Sequence, residues 1–354
     1  MSYYGENFGF SLRDNLCEEA SGSQISFADI TSFFSQVDIK GSVAVGYSEK
    51  NLKSVAYSIA AGLSQHGNDV ILLNNTLKNA FHFICSALHV PTAVLIQRQN
   101  PLVVSFFDSC GLPFNTDFLL RQAAQCGKIG CITSFDNTDS LYFTMLKNRI
   151  SSDKFSASIS CENQKVRNIW QNFFDDDSSS DICFQISHDG SAVNAYSQKT
   201  GFINHEKLII AYAFHLMKSG ISPILPDNVH FIANELADSC KCKIRRYSDV
   251  CGTEIRRQLF TLEPLFLCTM LSEIGLISAC RQIPDFYTAK REISADNCKE
   301  QNFFTSKGRI NATKSGKNRL TVTAQAYSIE TAAELCSDYI TAITKKCNTL
   351  HLKN

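Results

Sequence analysis

Val43-Ala44-Val45-Gly46, Val70-Ile71-Leu72-Leu73 and Ala93-Val94-Leu95-Ile96 are short apolar runs, and the residues between them decide the fold. After the first run, Leu52, Val55, Ile59 and Leu63 recur every three or four residues, the spacing of one buried helical face, and Gly67 supplies a stop. After the second, Ala80 to Leu88 carries another helical stripe. The order is β-α-β-α-β, which implies parallel strands joined by right-handed crossovers. Ligands of such sheets gather beyond the strand C-termini, so a loop at Gln97 to Pro101 would lie where chemistry occurs.

A second unit starts near Ser156 and passes through an acidic, serine-rich stretch, Asp175 to Asp181, read as a solvated loop, into the apolar segment Ile182 to Ile186. Gln198-Lys199-Thr200-Gly201 reads as a turn, and Leu208, Ile209, Tyr212 and Leu216 as the buried face of a helix. After Pro226, strands are expected at Val229 to Ala233 and Lys243 to Tyr247, and helices around Thr253 to Leu259 and Leu265 to Ile277. Arg319 to Ala326 alternates as a strand with Leu320, Val322 and Ala324 on one face. A long helix follows, with Ser328 as its N-cap and Ala332, Cys336, Tyr339 and Ile343 as its core stripe.

The chain has 354 residues, enough for several cores, and its 44% hydrophobic and 19% charged residues are a globular balance. Lys plus Arg equals Asp plus Glu at 34 each, so no net field draws the chain to nucleic acid or an anionic membrane. The 15 cysteines are scattered singly, an odd number in a long chain, and read as reduced thiols rather than a disulfide framework. Met1 to Asn15 lacks a basic segment followed by an apolar run, so a cytoplasmic protein is expected. The sequons at Asn74 and Asn311 are discounted for that reason, and Pro264 to Cys280, interrupted by Glu273, reads as a buried helix rather than a membrane span.

Other chemistry-bearing patterns are weak. Gly308 to Ser315 is one residue from a nucleotide-binding phosphate loop, but Thr313 stands where the second glycine must be and a strand follows. Cys240 and Cys242 with Cys251 lack a fourth metal ligand at a diagnostic spacing. His188 and Asp189 are adjacent, and adjacent side chains on an extended segment point to opposite faces, so a base with its orienter is not expected.

Three stretches together resemble the phosphoglucomutase/phosphomannomutase (phosphohexomutase) family. They are Val43 to Pro101, Asp189 to Gly201 with its following helix, and Lys314 to Thr323. The resemblance implies an α/β protein of three related mixed α/β/α domains followed by a smaller α+β C-terminal domain. The expected divisions are 1–150, 151–223 (shortened), 224–291 (shortened) and 292–354.

Where the family carries its phosphoserine loop, Thr-Ala-Ser-His-Asn-Pro, this chain reads Ile96-Gln97-Arg98-Gln99-Asn100-Pro101, a degenerate loop with Arg98 at the serine position. The family's metal loop, Asp-Gly-Asp-x-Asp-Arg, becomes His188-Asp189-Gly190-Ser191-Ala192-Val193. One carboxylate remains where a hard Mg²⁺ needs several, so the family's magnesium is not expected to bind and no cofactor is expected. The Gly-Glu-x-Ser-Gly-His sugar loop has no counterpart between Gln258 and Pro264. What survives is Ser11 and Arg13 of the N-terminal strand and the loop Lys314, Ser315, Gly316, Lys317 and Arg319, the candidate phosphate-binding residues, with a solvated basic turn as the alternative.

Phosphoryl transfer through an enzyme phosphate needs a nucleophilic oxygen and charge neutralisation, and the matching positions lack both. The expectation is a catalytically inactive mutase-like protein with no catalytic residue, binding a phosphosugar or regulating a partner such as an active mutase paralogue. The alternative is a weak or altered phosphohexomutase of carbohydrate metabolism. Arg98 would pair with a substrate phosphate or with a carboxylate of the chain itself.

Overall fold

The computed structural model describes residues 9–11, 26–39, 41–99, 102–109, 111–112, 128–150, 154–294, 300–316 and 319–351. They form two compact units, Met1–Tyr212 with Tyr247–Ile277, and Ala213–Arg246 with Ser278–Asn354.

In the first unit, the strands β1 (Gly9–Ser11), β2 (Val43–Tyr47), β3 (Val70–Leu73), β4 (Thr92–Gln99), β5 (Leu102–Asp108) and β6 (Ile132–Phe135) make one sheet. Its order is β1-β5-β4-β2-β3-β6. The apolar runs behave as the alternation requires: β2 pairs in parallel with β3 and β4, and β3 with β6. Both sheet faces are covered, which is why the runs are continuously apolar rather than alternating. On one face Val43, Val45, Val94 and Ile96 pack with Ile30 and Phe34 of α1 (Phe27–Phe34) and Val55, Ile59 and Leu63 of α2 (Lys53–Gln65). On the other, Ala44, Ala93 and Leu95 pack with Phe81, Ile84 and Cys85 of α3 (Lys78–Ala87). Helix α4 (Thr138–Lys147) lies beyond α3, with Tyr142 and Leu146 buried.

The expected loop at Gln97 to Pro101 is corrected. β4 continues through Gln99, and β5 returns antiparallel from Leu102, with Arg98 opposite Val103 and Gln99 opposite Leu102. A register shift between Ile96 and Arg98 absorbs one residue, as a bulge does. The cause is tertiary: Val104, Phe106 and Phe107 of β5 are buried against the same two cores, so pairing with β5 carries β4 on past its last apolar residue.

A second sheet follows with strand order β11-β10-β9-β7-β8, built from β7 (Phe155–Ser160), β8 (Phe174–Asp176), β9 (Ile182–Ile186), β10 (Val193–Ser197) and β11 (Gly201–Ile203). Trp170, at the end of α5 (Gln164–Trp170), stacks on Phe174 at 5.7 Å and leans on Phe184 at 5.6 Å. The acidic stretch Asp175 to Asp181 starts in β8 and from Asp177 continues as an exposed turn, the solvated loop expected of it. Asp176 accepts bonds from Arg167, Gln171 and the Ile159 amide, which draws the chain onto β7. Helix α6 (His205–Lys218) follows β11 as its stripe predicts.

In the second unit, the strand expected at Val229 to Ala233 is a turn leading into helix α7 (Ile232–Ser239); the strand β12 (Ile224–Leu225) comes earlier. Ile232, Ala233 and Ala237 are buried, a helical spacing that a five-residue window does not reveal. The strand expected at Lys243 to Tyr247 shrinks to β13 (Arg245–Arg246), parallel to β12. Helices α8 (Gly252–Gln258) and α9 (Pro264–Glu273), in the first unit, fall near their expected positions, and α10 (Leu276–Arg281) follows. The second unit ends in an antiparallel sheet of order β14-β17-β16-β15, comprising β14 (Tyr287–Ser294), β15 (Gln301–Thr305), β16 (Gly308–Gly316) and β17 (Arg319–Ala326). One face packs Ile310, Ala312, Leu320, Val322 and Ala324 against Ala332, Cys336 and Tyr339 of α11 (Ile329–His351). Ser328 caps that helix, its Oγ accepting from the Thr331 amide at 3.1 Å. Among the described residues no helix is long and apolar enough to cross a membrane.

Gly46 shows how closely these layers meet: a Cβ added there would lie 2.4 Å from the ring of Phe81, which is fully buried. Gly46→Ala is expected to destabilise the protein by roughly 1–3 kcal/mol through overpacking, read as a lower urea midpoint at unchanged slope.

Candidate functional site

The β4–β5 hairpin carries Arg98 and Gln99 of the stretch expected to be a degenerate serine loop. Ser11 on β1 and Arg98 on β4 both stand opposite Val103, so they flank β5 at one level of the sheet. A loop that cradles phosphate must aim successive backbone N–H groups at the ligand. Here the backbone at Arg98 and Gln99 lies in a strand ladder instead. The side chains of Ser11, Arg98 and Gln99, and residues Arg13 and Asn100 altogether, lie outside the described residues.

The stretch matching the metal loop is the turn between β9 and β10. The Ser187 amide donates to the Ala192 carbonyl at 2.9 Å, and Gly190 takes a positive φ of 73° that favours glycine. Asp189 is occupied from within. Its Oδ1 accepts from Ser187 Oγ at 2.7 Å, Ser191 Oγ at 2.8 Å and the Ser191 amide at 3.1 Å, and Lys78 Nζ on α3 lies 3.5 Å from Oδ2. Burial works against the charge on Asp189, but the Lys78 ammonium and the serine hydrogen bonds outweigh it and hold the carboxyl below its usual range. His188 is exposed, and its backbone carbonyl accepts from Asn163 Nδ2 at 3.0 Å.

Beside this turn lies a group the sequence did not signal. Glu263, at the start of α9, is 2% exposed, and its Oε2 accepts from Tyr142 Oη at 2.6 Å and Asn79 Nδ2 at 3.1 Å. Its partners stand 121 and 184 residues away in sequence, so no local spacing could reveal the cluster. Burial pushes the Glu263 carboxyl up to about 7, against the opposing pull of the Tyr142 hydrogen bond, the Arg256 charge and the Asn79 bond. Burial likewise raises the Tyr142 hydroxyl well above its ordinary value, and the Glu263 charge adds to the rise. A cleft beside the cluster is lined by Asn79, Tyr142, Trp170, Asp189, Gly190 and Leu265, but its volume is only about 20 Å³. That is room for about one water, far below the ~300 Å³ of an ordinary small-molecule site.

In the second unit, the near-match to a nucleotide loop is continuous strand: β16 runs through Gly308–Gly316 and turns back into β17, with no helix N-terminus to receive phosphates. Lys314 stands opposite Leu320 and Gly316 opposite Arg319, so Lys314 and Arg319 are brought to one hairpin end, both exposed. The Lys314 amide donates to Glu300 Oε1 at 3.0 Å. Lys317 and the side chain of Ser315 lie outside the described residues. Cys240, Cys242 and Cys251 are free thiols, and among the described residues no three His, Cys, Asp or Glu side chains gather as metal ligands.

Because the Glu263 carboxyl rises on folding from 4.5 to about 7, the folded state binds one more proton than the unfolded state between those values. Stability contributed by the neutral carboxyl is present below pH 4.5 and is lost as pH climbs toward 7, by roughly 3 kcal/mol at most. In Glu263→Gln, urea midpoints followed from pH 5 to 8 are expected to lose that component of the decline.

No protein-family model and no curated protein sequence matches the chain. Solved structures do. A Thermus thermophilus protein assigned to the phosphomannomutases superposes with a TM-score of 0.60 at 11% identity, covering 91% of this chain and 96% of that one. A phosphoglucomutase/phosphomannomutase family protein of Burkholderia thailandensis gives a TM-score of 0.60 at 10% identity, covering 92% and 94%. At such identities the likeness is one of fold, and with the sheets described above it identifies the chain as having the α/β fold of the phosphoglucomutase/phosphomannomutase proteins.

Proposed function

We propose that this protein is a catalytically inactive, cytoplasmic phosphoglucomutase/phosphomannomutase-like protein that binds a phosphosugar or regulates a partner, such as an active mutase. The observation that carries the reading is Arg98 standing in a strand ladder at the position where the resembling family holds its phosphoserine. A guanidinium is always charged and has no oxygen to receive and pass on a phosphoryl group. The Ser187–Ala192 turn supports the same reading. Its single carboxylate is already bonded to Ser187, Ser191 and Lys78, a donor set that does not suit Mg²⁺, which takes oxygen ligands in octahedral geometry. Fold alone does not carry an activity, so the argument rests on these positions.

Purified protein given glucose 1-phosphate or mannose 1-phosphate, Mg²⁺ and a bisphosphate activator is expected to show no conversion above blank, and Arg98→Ser alone is expected to restore none. Turnover by the native chain would overturn the proposal. Thermal stabilisation by sugar phosphates without turnover would favour the ligand-binding role, and co-purification of an active mutase the partner role.

A further inference from the structure

Arg309 is the second residue of β16 and alternates with Ile310 and Ala312, so its side chain leaves the sheet on the face opposite the α11 core. It stands across the ladder from Phe304 on β15 and Gln325 on β17. Its position is fixed by close backbone contact, since a Cβ on Gly308 would lie 2.0 Å from the Gln325 carbonyl oxygen. Gln325 in turn holds the turn before α7, its Oε1 accepting from the Phe231 amide at 3.2 Å and its Nε2 donating to the Asn228 carbonyl at 3.0 Å.

Arg309 is 8% exposed, yet its guanidinium makes one hydrogen bond among the described residues, Nε to Asn302 Oδ1 at 2.9 Å, and forms no ion pair with a carboxylate among them. Of its five N–H donors, four are left over. The guanidinium sits 5.8 Å from the centre of the Phe304 ring. Burial works against its charge, and Asp227 offsets this only in part. A largely buried guanidinium with an open fork gains most from an anion that offers two oxygens side by side. The rim is aromatic: Phe304 is 62% and Tyr327 46% exposed, and both meet Phe231 edge-on, at 6.1 and 5.4 Å.

We propose that Arg309 is the anchor of an oxyanion site in the second unit, taking a phosphate monoester whose body rests on the Phe304–Tyr327 rim. The site is separate from the hairpin end at Lys314 and Arg319, which lies five residues further along the strand, about 17 Å at 3.4 Å per residue. It does not depend on whether the protein is a mutase.

The test is calorimetric titration of the full chain with inorganic phosphate and with phenyl phosphate. Both bind the native protein, phenyl phosphate more tightly. Arg309→Met abolishes binding, and Arg309→Lys, which keeps the charge but not the fork, weakens it about tenfold. If Arg309→Met fails to fold, the lysine variant decides. Absence of binding to the native chain, or unchanged affinity in Arg309→Lys, would overturn the site.

Discussion

Strand β4 is paired on both edges and buried on both faces, and the first unit is organised around it. Val94 and Ile96 enter the core under α1 and α2 while Ala93 and Leu95 enter the core under α3. A slip of one residue would exchange the two sets, placing Val94 and Ile96 against a layer shaped for smaller neighbours, so the register is strongly held. Because β5 is buried by the same cores, the ladder extends past the last apolar residue of β4, and the bulge after Ile96 is where the extra length is taken up. The stretch that resembles a catalytic loop is thereby made part of the scaffold.

Polar groups in the two units meet burial in different ways. In the first, Asp189 is paired with Lys78 and hydrogen-bonded by two serines, and burial pushes the Glu263 carboxyl up to about 7, with Tyr142 and Asn79 as donors. These are complete local solutions, in which each charge or proton is settled by the chain itself, so a ligand would have to displace existing bonds to gain new ones. In the second, Arg309 makes one side-chain hydrogen bond among the described residues, to Asn302, and lies over the ring of Phe304. The difference is between a carboxylate paired within hydrogen-bond reach and a guanidinium whose burial Asp227 offsets only in part.

The readings that went astray share a physical origin. Val229 to Ala233 is a short apolar run, and such a run is equally compatible with a strand or the first turn of a helix. The decisive burial of Ala237 lies outside it. The pairing of Asp176 into β8 is likewise set outside its own stretch, by Arg167 and Gln171 of the neighbouring helical segment. Glu263 gave no signal at all, since a lone glutamate before a proline is unremarkable until Asn79 and Tyr142 are folded against it.

What the sequence determined by itself was the alternation of strands and helices from Val43 to Ile96, the strand at Arg319 to Ala326 and the helix capped by Ser328, because periodicity and capping act between residues a few positions apart. That Gln97 to Pro101 holds no serine and His188 to Val193 a single carboxylate is equally legible, being a matter of residue identity. Only the tertiary structure decided that β4 runs on into a hairpin, that Asp189 is paired with Lys78, that Glu263 is buried among distant donors and that Arg309 lacks a carboxylate partner among the described residues. Each of these depends on contacts between segments far apart in the chain, and burial energy summed over a whole core outweighs the local preferences that a sequence displays.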